Sequence, residues 1–367
     1  MRNLSIGLIC HHGNKYDYDG DCEVTKRVSI EGNVPITYFF SGIELNAIAN
    51  DRKDISGAIK HDGKFINPRA GNIDSSKSEL AIMPFNHIPL VHPHGQGILS
   101  TYFREILEPQ VRWSQGIAEN EFGITPVTIH PPDGVYAPAA AHNLKRLGLD
   151  NVVISGEFLG DNKHAKGLMY WASGLRHVMR TNDIQPQNPQ FWNAKNFIDA
   201  VESYCQENNI NNLLVTCDID EFTGKLINDN GMSLDDGVNR LNAIGAEAYG
   251  RVNLVNVNTL AHWYNPENQT DLENIWGWNY VSSQIGDGTL KFIDDHKNGE
   301  IGHVIWLIGK RRKENQRGEW WDEGAINNAR DCLCMAADIA CRYDRDPYGL
   351  EGFYRENIGK ARHLLQG

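Results

Sequence analysis

Short apolar runs alternate with longer stretches of helical spacing over roughly the first 260 residues. The apolar runs at 4–10, 34–40, 79–83, 126–130, 150–155, 212–217 and 252–257 have the length and the β-branched and aromatic content of buried strands. Between them, apolar positions recur at helical intervals over 43–49, 97–107, 111–122, 137–147, 191–208 and 234–249. Gly148 follows one of these helices closely, as a helix stop does. Strands alternating with helices predict an α/β fold with parallel pairing and right-handed crossovers. After about Trp263 the pattern changes. Polar, tryptophan-bearing loops surround one apolar run at 303–308, and two helices, 323–342 and 354–365, close the chain. The expected organisation is a barrel over 1–264 and a helix-rich region over 265–367 packed on it, with no internal repeat or low-complexity linker.

The ends of the apolar runs carry the chemistry. The run Asn212-Leu-Leu-Val-Thr-Cys ends in Asp218-Ile-Asp220-Glu221 and then Gly224. In α/β folds the rim at the strand C-termini is where active sites are built. Side chains alternate along a strand, so Asp218 and Asp220 share a side and Ile219 points away. Two like charges on one face are costly unless a metal, a substrate or a shared proton uses them. A plainer reading is a loop of solvated acids with one aspartate capping the next turn. Against it stands the number of loaded run ends: His11 and His12, Glu79, His87, His92 and His94, His130 with Asp133, Glu157, and His262. One such histidine would be a satisfied structural residue; the collection points to a site at the mouth of a barrel.

Composition narrows the partners. With 367 residues, 41% of them hydrophobic, and a formal net charge of −12, the composition argues against a nucleic-acid or anionic-membrane partner, which would want a basic face. The cationic run Lys310-Arg-Arg-Lys313 is short, is followed by Glu314, and reads as a solvated turn. Seven cysteines without regular spacing, several inside apolar runs, read as buried thiols. The apolar part of the first ten residues is too short for a signal peptide, and no 18-residue apolar run occurs elsewhere. A cytoplasmic, reduced protein is the expectation. Nine tryptophans could fill core or stack on sugar rings. Trp113, Trp263, Trp276, Trp278 and the doublet Trp320-Trp321 are the candidates for sugar contact, with the doublet foremost because of its polar surroundings.

Two chemistries fit these residues. Paired carboxylates across a cleft cleave glycosidic bonds. Alternatively, His and Asp ligands from separate strands hold a divalent metal that activates water. His92-Pro93-His94 needs a third ligand from elsewhere, which His11, His12, His130 or Asp218 could supply.

In motif order the chain resembles glycoside hydrolase family 57. Ile9-Cys-His-His12-Gly-Asn14 is similar to the family's first motif, with Gly13-Asn14 in place of Gln-Pro. Ser78-Glu79-Leu80 followed by Phe85-Asn-His87-Ile-Pro-Leu90 is similar to the second. Phe122-Gly-Ile-Thr-Pro126 through Gly134-Val-Tyr136-Ala-Pro138 is similar to the third. Asp218-Ile-Asp220-Glu-Phe222 is similar to the fourth, with Asp220 where the family has Glu and Thr223 where it has Gly. The resemblance covers the first 260 residues or so.

It implies a distorted (β/α)7 barrel with a helical C-terminal region, Asp218 as acid/base, and a retaining mechanism with a glutamate nucleophile in the third motif. Ala139 stands at that nucleophile position, and alanine cannot form a glycosyl ester.

Three readings follow. In the first, the chain is a glycan hydrolase needing no cofactor. Asp218 and Asp220 would act with Glu157 or Asp133 as the second group, and His12, Glu79, His87 and His130 would contact the sugar. In the second, it is a metal-dependent hydrolase such as a carbohydrate deacetylase, related in chemistry to the polysaccharide deacetylases and family 38 mannosidases. A Zn-like ion would then be held by His12 and Asp218 with one or more of His87, His92, His94 and His130, His92 and His94 foremost. In the third, it binds a glycan without turnover. Oligomeric state is not legible in any of them.

Overall fold

The computed structural model describes Arg27 and residues 2–10, 32–61, 63–68, 73–84, 108–131, 140–155, 169–172, 174–219 and 234–263. Seven parallel strands close into a barrel. They are β1 (Arg2–Cys10), β2 (Thr37–Phe40), β3 (Glu79–Ile82), β4 (Thr128–Ile129), β5 (Asn151–Ser155), β7 (Leu175–Thr181) and β8 (Asn212–Asp218). The ring closes because β1 pairs with both β2 and β8, through Ile9↔Phe39 on one side and Ile9↔Asp218 on the other. A closed ring leaves no unpaired edge, and all seven strands point the same way, so one rim collects every strand C-terminus.

Two short strands distort the ring at its N-terminal end. β6 (Met169–Ala172) runs antiparallel along the first half of β7, from Met169↔Val178 to Ala172↔Leu175. Pairing of β7 with β8 begins only at Arg180. Likewise β9 (Val252–Leu254) pairs with Arg2–Leu4 of β1, and β2 pairs with β1 only from Gly7 onward. Gly174, at φ +77°, precedes β7 in the turn after β6, a backbone region that disfavours L side chains.

Direct cross-strand partners share a face. Ile9, Phe39, Ala81, Val153, Val178 and Leu214 fill one buried cluster and mark the inward face. Gly7 makes the crossing of Phe39 feasible. A Cβ there would lie 2.5 Å from Phe39 Cε2 and 3.1 Å from Thr216 Cγ2, and the Phe39 ring is fully buried.

The outward faces bury Leu4, Leu8, Phe40, Leu80, Val152 and Val215. Around them stand α1 (Gly42–Asp51), α2 (Lys53–His61), α3 (Glu108–Phe122), α4 (Ala141–Arg146), α5 (Ala194–Glu207) and α6 (Leu234–Ala248). Their starts are encoded locally. Ser41 Oγ accepts from Glu44 N at 3.3 Å, and Asn193 Oδ1 accepts from Lys195 N and Asn196 N at 2.9 and 3.2 Å. In α5 the buried set Phe197, Ile198, Val201 and Cys205 has helical spacing.

Three differences from the sequence reading stand out. The strand expected over 252–257 stops at Leu254, because Asn256 starts a further helix, α7 (Val257–Trp263). The hairpin β6–β7 and helix α2 were not expected at all. Four of seven residues in β7 are Arg, His or Thr, so its apolar signal is weak. Cys10, Cys205 and Cys217 are buried and in no disulfide, as expected, and burial pushes the Cys205 thiol up to about 11. The helix expected over 97–107, the elements expected after Trp263 and the boundary at 264/265 lie outside the described residues. Among the described residues, no helix is long and apolar enough to cross a membrane.

Candidate active site

The rim at the strand C-termini carries Asp218, the last residue of β8. Its side chain shares the inward face with Ile9 of β1, its direct partner, and it is partly exposed while Leu213–Cys217 before it are buried. The strand therefore brings a carboxylate out of an apolar wall at the mouth, as the alternation predicted. One step below on the same face, Thr216 Oγ1 accepts a 2.7 Å bond from Arg180 Nη1. Arg180 lies on β7, pairs directly with Leu214 of β8 on one side and with Ser155 of β5 on the other, and is partly exposed. Ser155 is the last residue of β5 and is 1% exposed. Its Oγ has no hydrogen-bond partner among the described residues. Three neighbouring strands thus present Ser155, Arg180, Thr216 and Asp218 toward the same interior near the same rim.

His130 immediately follows β4 and is fully buried, with its ring 4.9 Å from that of Phe39 at a 43° tilt. It sits against the apolar filling of the barrel, as a packed ring.

Two other positions are corrections. Glu79 is the first residue of β3, not a residue at its C-terminal end, so it belongs to the floor of the barrel and not to the mouth. There it is 0% exposed and accepts three bonds: from Thr37 Oγ1 at 3.2 Å, Thr128 Oγ1 at 2.5 Å and Asn258 N at 2.8 Å. Burial raises its pKa above the usual carboxylate range, and the three donors oppose that rise without cancelling it. The cluster continues through Asn151 Nδ2, which donates to Thr128 Oγ1 at 3.0 Å and to Asn258 Oδ1 at 3.1 Å.

Glu79 and its neighbours hold α7 in place. Val257 N donates to Thr37 Oγ1 at 2.8 Å, Asn258 N to Glu79, and Thr259 N to Asn256 Oδ1 at 2.8 Å. All three amide groups of the helix's first turn, which have no partner within a helix, are satisfied this way. A carboxylate at a helix N-terminus is also favoured by the helix dipole. Val257, Leu260 and Ala261 then join the buried cluster inside the barrel. His262 correspondingly lies in a helix, not at a strand end, with Nδ1 2.8 Å from Asn258 O. Trp263 ends α7 and is 49% exposed.

His12, His87, His92, His94, Asp133, Ala139, Glu157, Asp220, Trp320 and Trp321 lie outside the described residues. Among the described residues there is no group of three metal-ligating side chains. Sequence reading missed Arg180 and Ser155. The signal that could have found Arg180 is the β6–β7 pair itself, two runs of strand length on either side of Gly174.

No family model matches the chain, and no curated protein matches it. Solved structures do resemble it. The 4-alpha-glucanotransferase from Thermococcus litoralis is 12% identical with a TM-score of 0.55, over 100% of this chain and 60% of that one. The alpha-amylase AmyC from Thermotoga maritima is 11% identical with a TM-score of 0.54, over 100% of this chain and 93% of that one. The GH57-type branching enzyme from Pyrococcus horikoshii is 12% identical with a TM-score of 0.50, over 98% of this chain and 94% of that one. The chain spans about three fifths of the glucanotransferase's length. At these identities the likeness is one of fold: the distorted barrel of parallel strands is shared with these glucan-processing enzymes.

Proposed function

We propose that this chain is a carbohydrate-active hydrolase of glycoside hydrolase family 57 type, with Asp218 as its acid/base. The observation that carries the reading is the position of Asp218. It is a partly exposed carboxylate on the inward face of the last residue of β8, at the rim of a closed seven-stranded barrel. The fold shared with enzymes whose names specify glucan chemistry, and the order of the four sequence motifs, support it.

A carboxyl group at that rim can protonate a glycosidic oxygen and then, as carboxylate, activate water. The reaction needs a second carboxylate about 5 Å away for retention, or about 6.5–9.5 Å away for inversion. With alanine at position 139, Glu157 and Asp133 are the proposed sources of that group.

The test is turnover of a panel of α-glucans, mannosides and acetylated sugars by the wild-type chain and by Asp218→Asn. Loss of turnover with an unchanged thermal melt supports the reading, and undiminished turnover removes Asp218 from the mechanism. The metal-dependent reading, through His12, His92, His94 and Asp218, is separated by the same panel run after exhaustive chelation with metal analysis of the purified protein. Full activity of metal-free protein leaves only the glycosidase reading.

A further inference from the structure

The loop that joins β7 to α5, residues 182–193, leaves the C-terminal end of β7, the strand that pairs with β8 through Arg180↔Leu214 and Thr181↔Val215. It therefore belongs to the face of the barrel that carries Asp218, where the loops after strands build binding sites. Its composition departs from the rest of the chain. Although 22% of all residues are charged, the eleven from Ile184 to Ala194 include no charged side chain, and five of them are Gln or Asn. Two prolines, Phe191 and Trp192 make up most of the remainder.

This neutral segment is held in one shape. Asn188 N donates to Gln185 O at 2.9 Å, Phe191 N to Asn188 O at 2.8 Å and Trp192 N to Pro189 O at 3.2 Å, so a tight turn runs into a single turn of 3-10 helix, Pro189–Phe191. The Phe191 ring meets the buried Phe197 of α5 edge-on, with centroids 6.4 Å apart and planes at 70°. Arg240 of α6 is 6% exposed, and its Nη2 donates to Phe191 O at 3.1 Å and to Pro186 O. Both limbs of the loop are thereby tied to the helix that follows the Asp218 strand. Burial draws the pKa of that guanidinium down to about 10, a desolvation that its hydrogen bonds to the loop offset.

The side chains that the fixed backbone displays share one chemistry. Trp192 is partly exposed, and its Nε1 donates to Gln187 O at 2.9 Å, which pins one edge of the indole. Among the described residues no ring or cation stacks on it. Asn188 stands at the N-cap of the 3-10 turn, yet its side chain makes no cap bond. The amides of Gln185 and Gln190 likewise make no side-chain hydrogen bond among the described residues. Gln190 is exposed, and Gln185 and Asn188 are partly so. A side-chain amide holds an acceptor and two donors in one plane, which suits sugar hydroxyls that both donate and accept. An indole face offers the large apolar surface that the C–H face of a pyranose can cover. An ionic ligand would find no counter-charge in this segment, and a loop already ordered saves a neutral one the cost of ordering it.

We propose that this loop is a subsite for a neutral hexose of an oligosaccharide, with Trp192 as its stacking platform and the amides of Gln185, Asn188 and Gln190 as its hydroxyl-binding groups. The proposal rests on the carbohydrate reading above for its ligand class. It goes beyond that reading in assigning a binding loop apart from the acid/base and in making the bound sugar uncharged.

Binding to the full-length protein is measured calorimetrically with maltoheptaose, mannohexaose and cellohexaose. At least one is expected to bind, and Trp192→Ala should weaken that binding about 10-fold, the size of a lost aromatic contact. Trp192→Phe, which keeps a ring, should restore most of it. The double variant Asn188→Ala/Gln190→Ala removes two amides that bond to no described residue and should weaken binding about 5-fold.

Failure of all three oligosaccharides to bind overturns the proposal, as does an affinity that Trp192→Ala leaves unchanged. If Trp192→Ala does not fold, the double variant decides in its place: an unchanged affinity overturns the proposal and the expected loss upholds it. Failure of the subsite and failure of the proposed function read differently. Turnover of a neutral glycan that needs Asp218, with a KM untouched by Trp192→Ala, keeps the proposed function and removes the subsite. Trp192-dependent binding with turnover undiminished by Asp218→Asn keeps the subsite and removes the acid/base.

Discussion

The two ends of the barrel use polar residues in opposite ways. At the floor, Glu79, Thr37, Thr128, Asn151, Asn256 and Asn258 are buried and bonded to one another or to the first turn of α7. At the rim, Asp218 and Arg180 remain partly exposed, and Ser155 Oγ is buried without a partner among the described residues. Both ends carry a carboxylate on an inward face of the same barrel. The floor carboxylate is consumed by structure, since all three groups that touch it donate to it and none is solvent. The rim carboxylate stands on the last residue of its strand and is partly exposed. An acidic residue at a strand boundary is therefore informative only once the direction of the strand is known.

This contrast can be broken most sharply by exchanging the two carboxylates for uncharged groups. Asp218→Asn should lower turnover by about 10²–10⁴-fold, the usual contribution of a general acid/base, while shifting the urea midpoint little. A large loss of stability in that variant would place Asp218 with the structural residues. Glu79→Ala should do the opposite. It leaves the donors of Thr37, Thr128 and Asn258 buried without an acceptor and should cost about 3 kcal/mol or more in equilibrium unfolding. Turnover measured well below the lowered melting temperature should survive.

Gly7→Ala tests the apolar filling between the two ends. The added methyl would meet Phe39, so a loss of about 1–3 kcal/mol in the same unfolding experiment is expected, with no selective effect on catalysis.

The smallest effect is on pH dependence and belongs to the floor alone. Because burial raises the folded-state pKa of Glu79 above its ordinary value of 4.5, the folded state holds that proton more tightly than the unfolded state does. The contribution of Glu79 is thus fully present below the unfolded pKa and is lost as pH rises through the folded one. Glu79→Gln should flatten this part of the stability profile. Denaturation midpoints of both proteins across that range measure it, and parallel profiles would show that the floor is not linked to this proton.

Several parts of this comparison could be read in the chain itself. The run ending in Asp218 reads as a strand because five consecutive apolar or β-branched residues precede a burst of acid, and the barrel places that boundary where the sequence does. Helices α5 and α6 are legible because their apolar residues recur at helical intervals, and α1 because a Ser41-x-x-Glu44 box opens it. Strand β7 was not legible. Two arginines, a histidine and a threonine interrupt it, and parallel strands buried on both faces are recognised by unbroken apolar runs. Arg180 was lost with it. The helix α7 was hidden for a different reason, since Val-Asn-Val-Asn has the alternation of a strand. What turns it into a helix is a cap at Asn256 and two acceptors, Thr37 and Glu79, more than 170 residues away in sequence.

By itself, then, the sequence determined the class of fold, most of the parallel strands and the placement of Asp218 at a strand terminus. These depend on local periodicity, which a single chain displays directly. Only the tertiary structure decided which carboxylate belongs to the floor and which to the mouth, and which polar side chains share the interior. Those facts are set by strand direction and by register between strands distant in the chain. A shift of register by one residue would turn Arg180 and Asp218 to the outer face without changing one letter of the sequence.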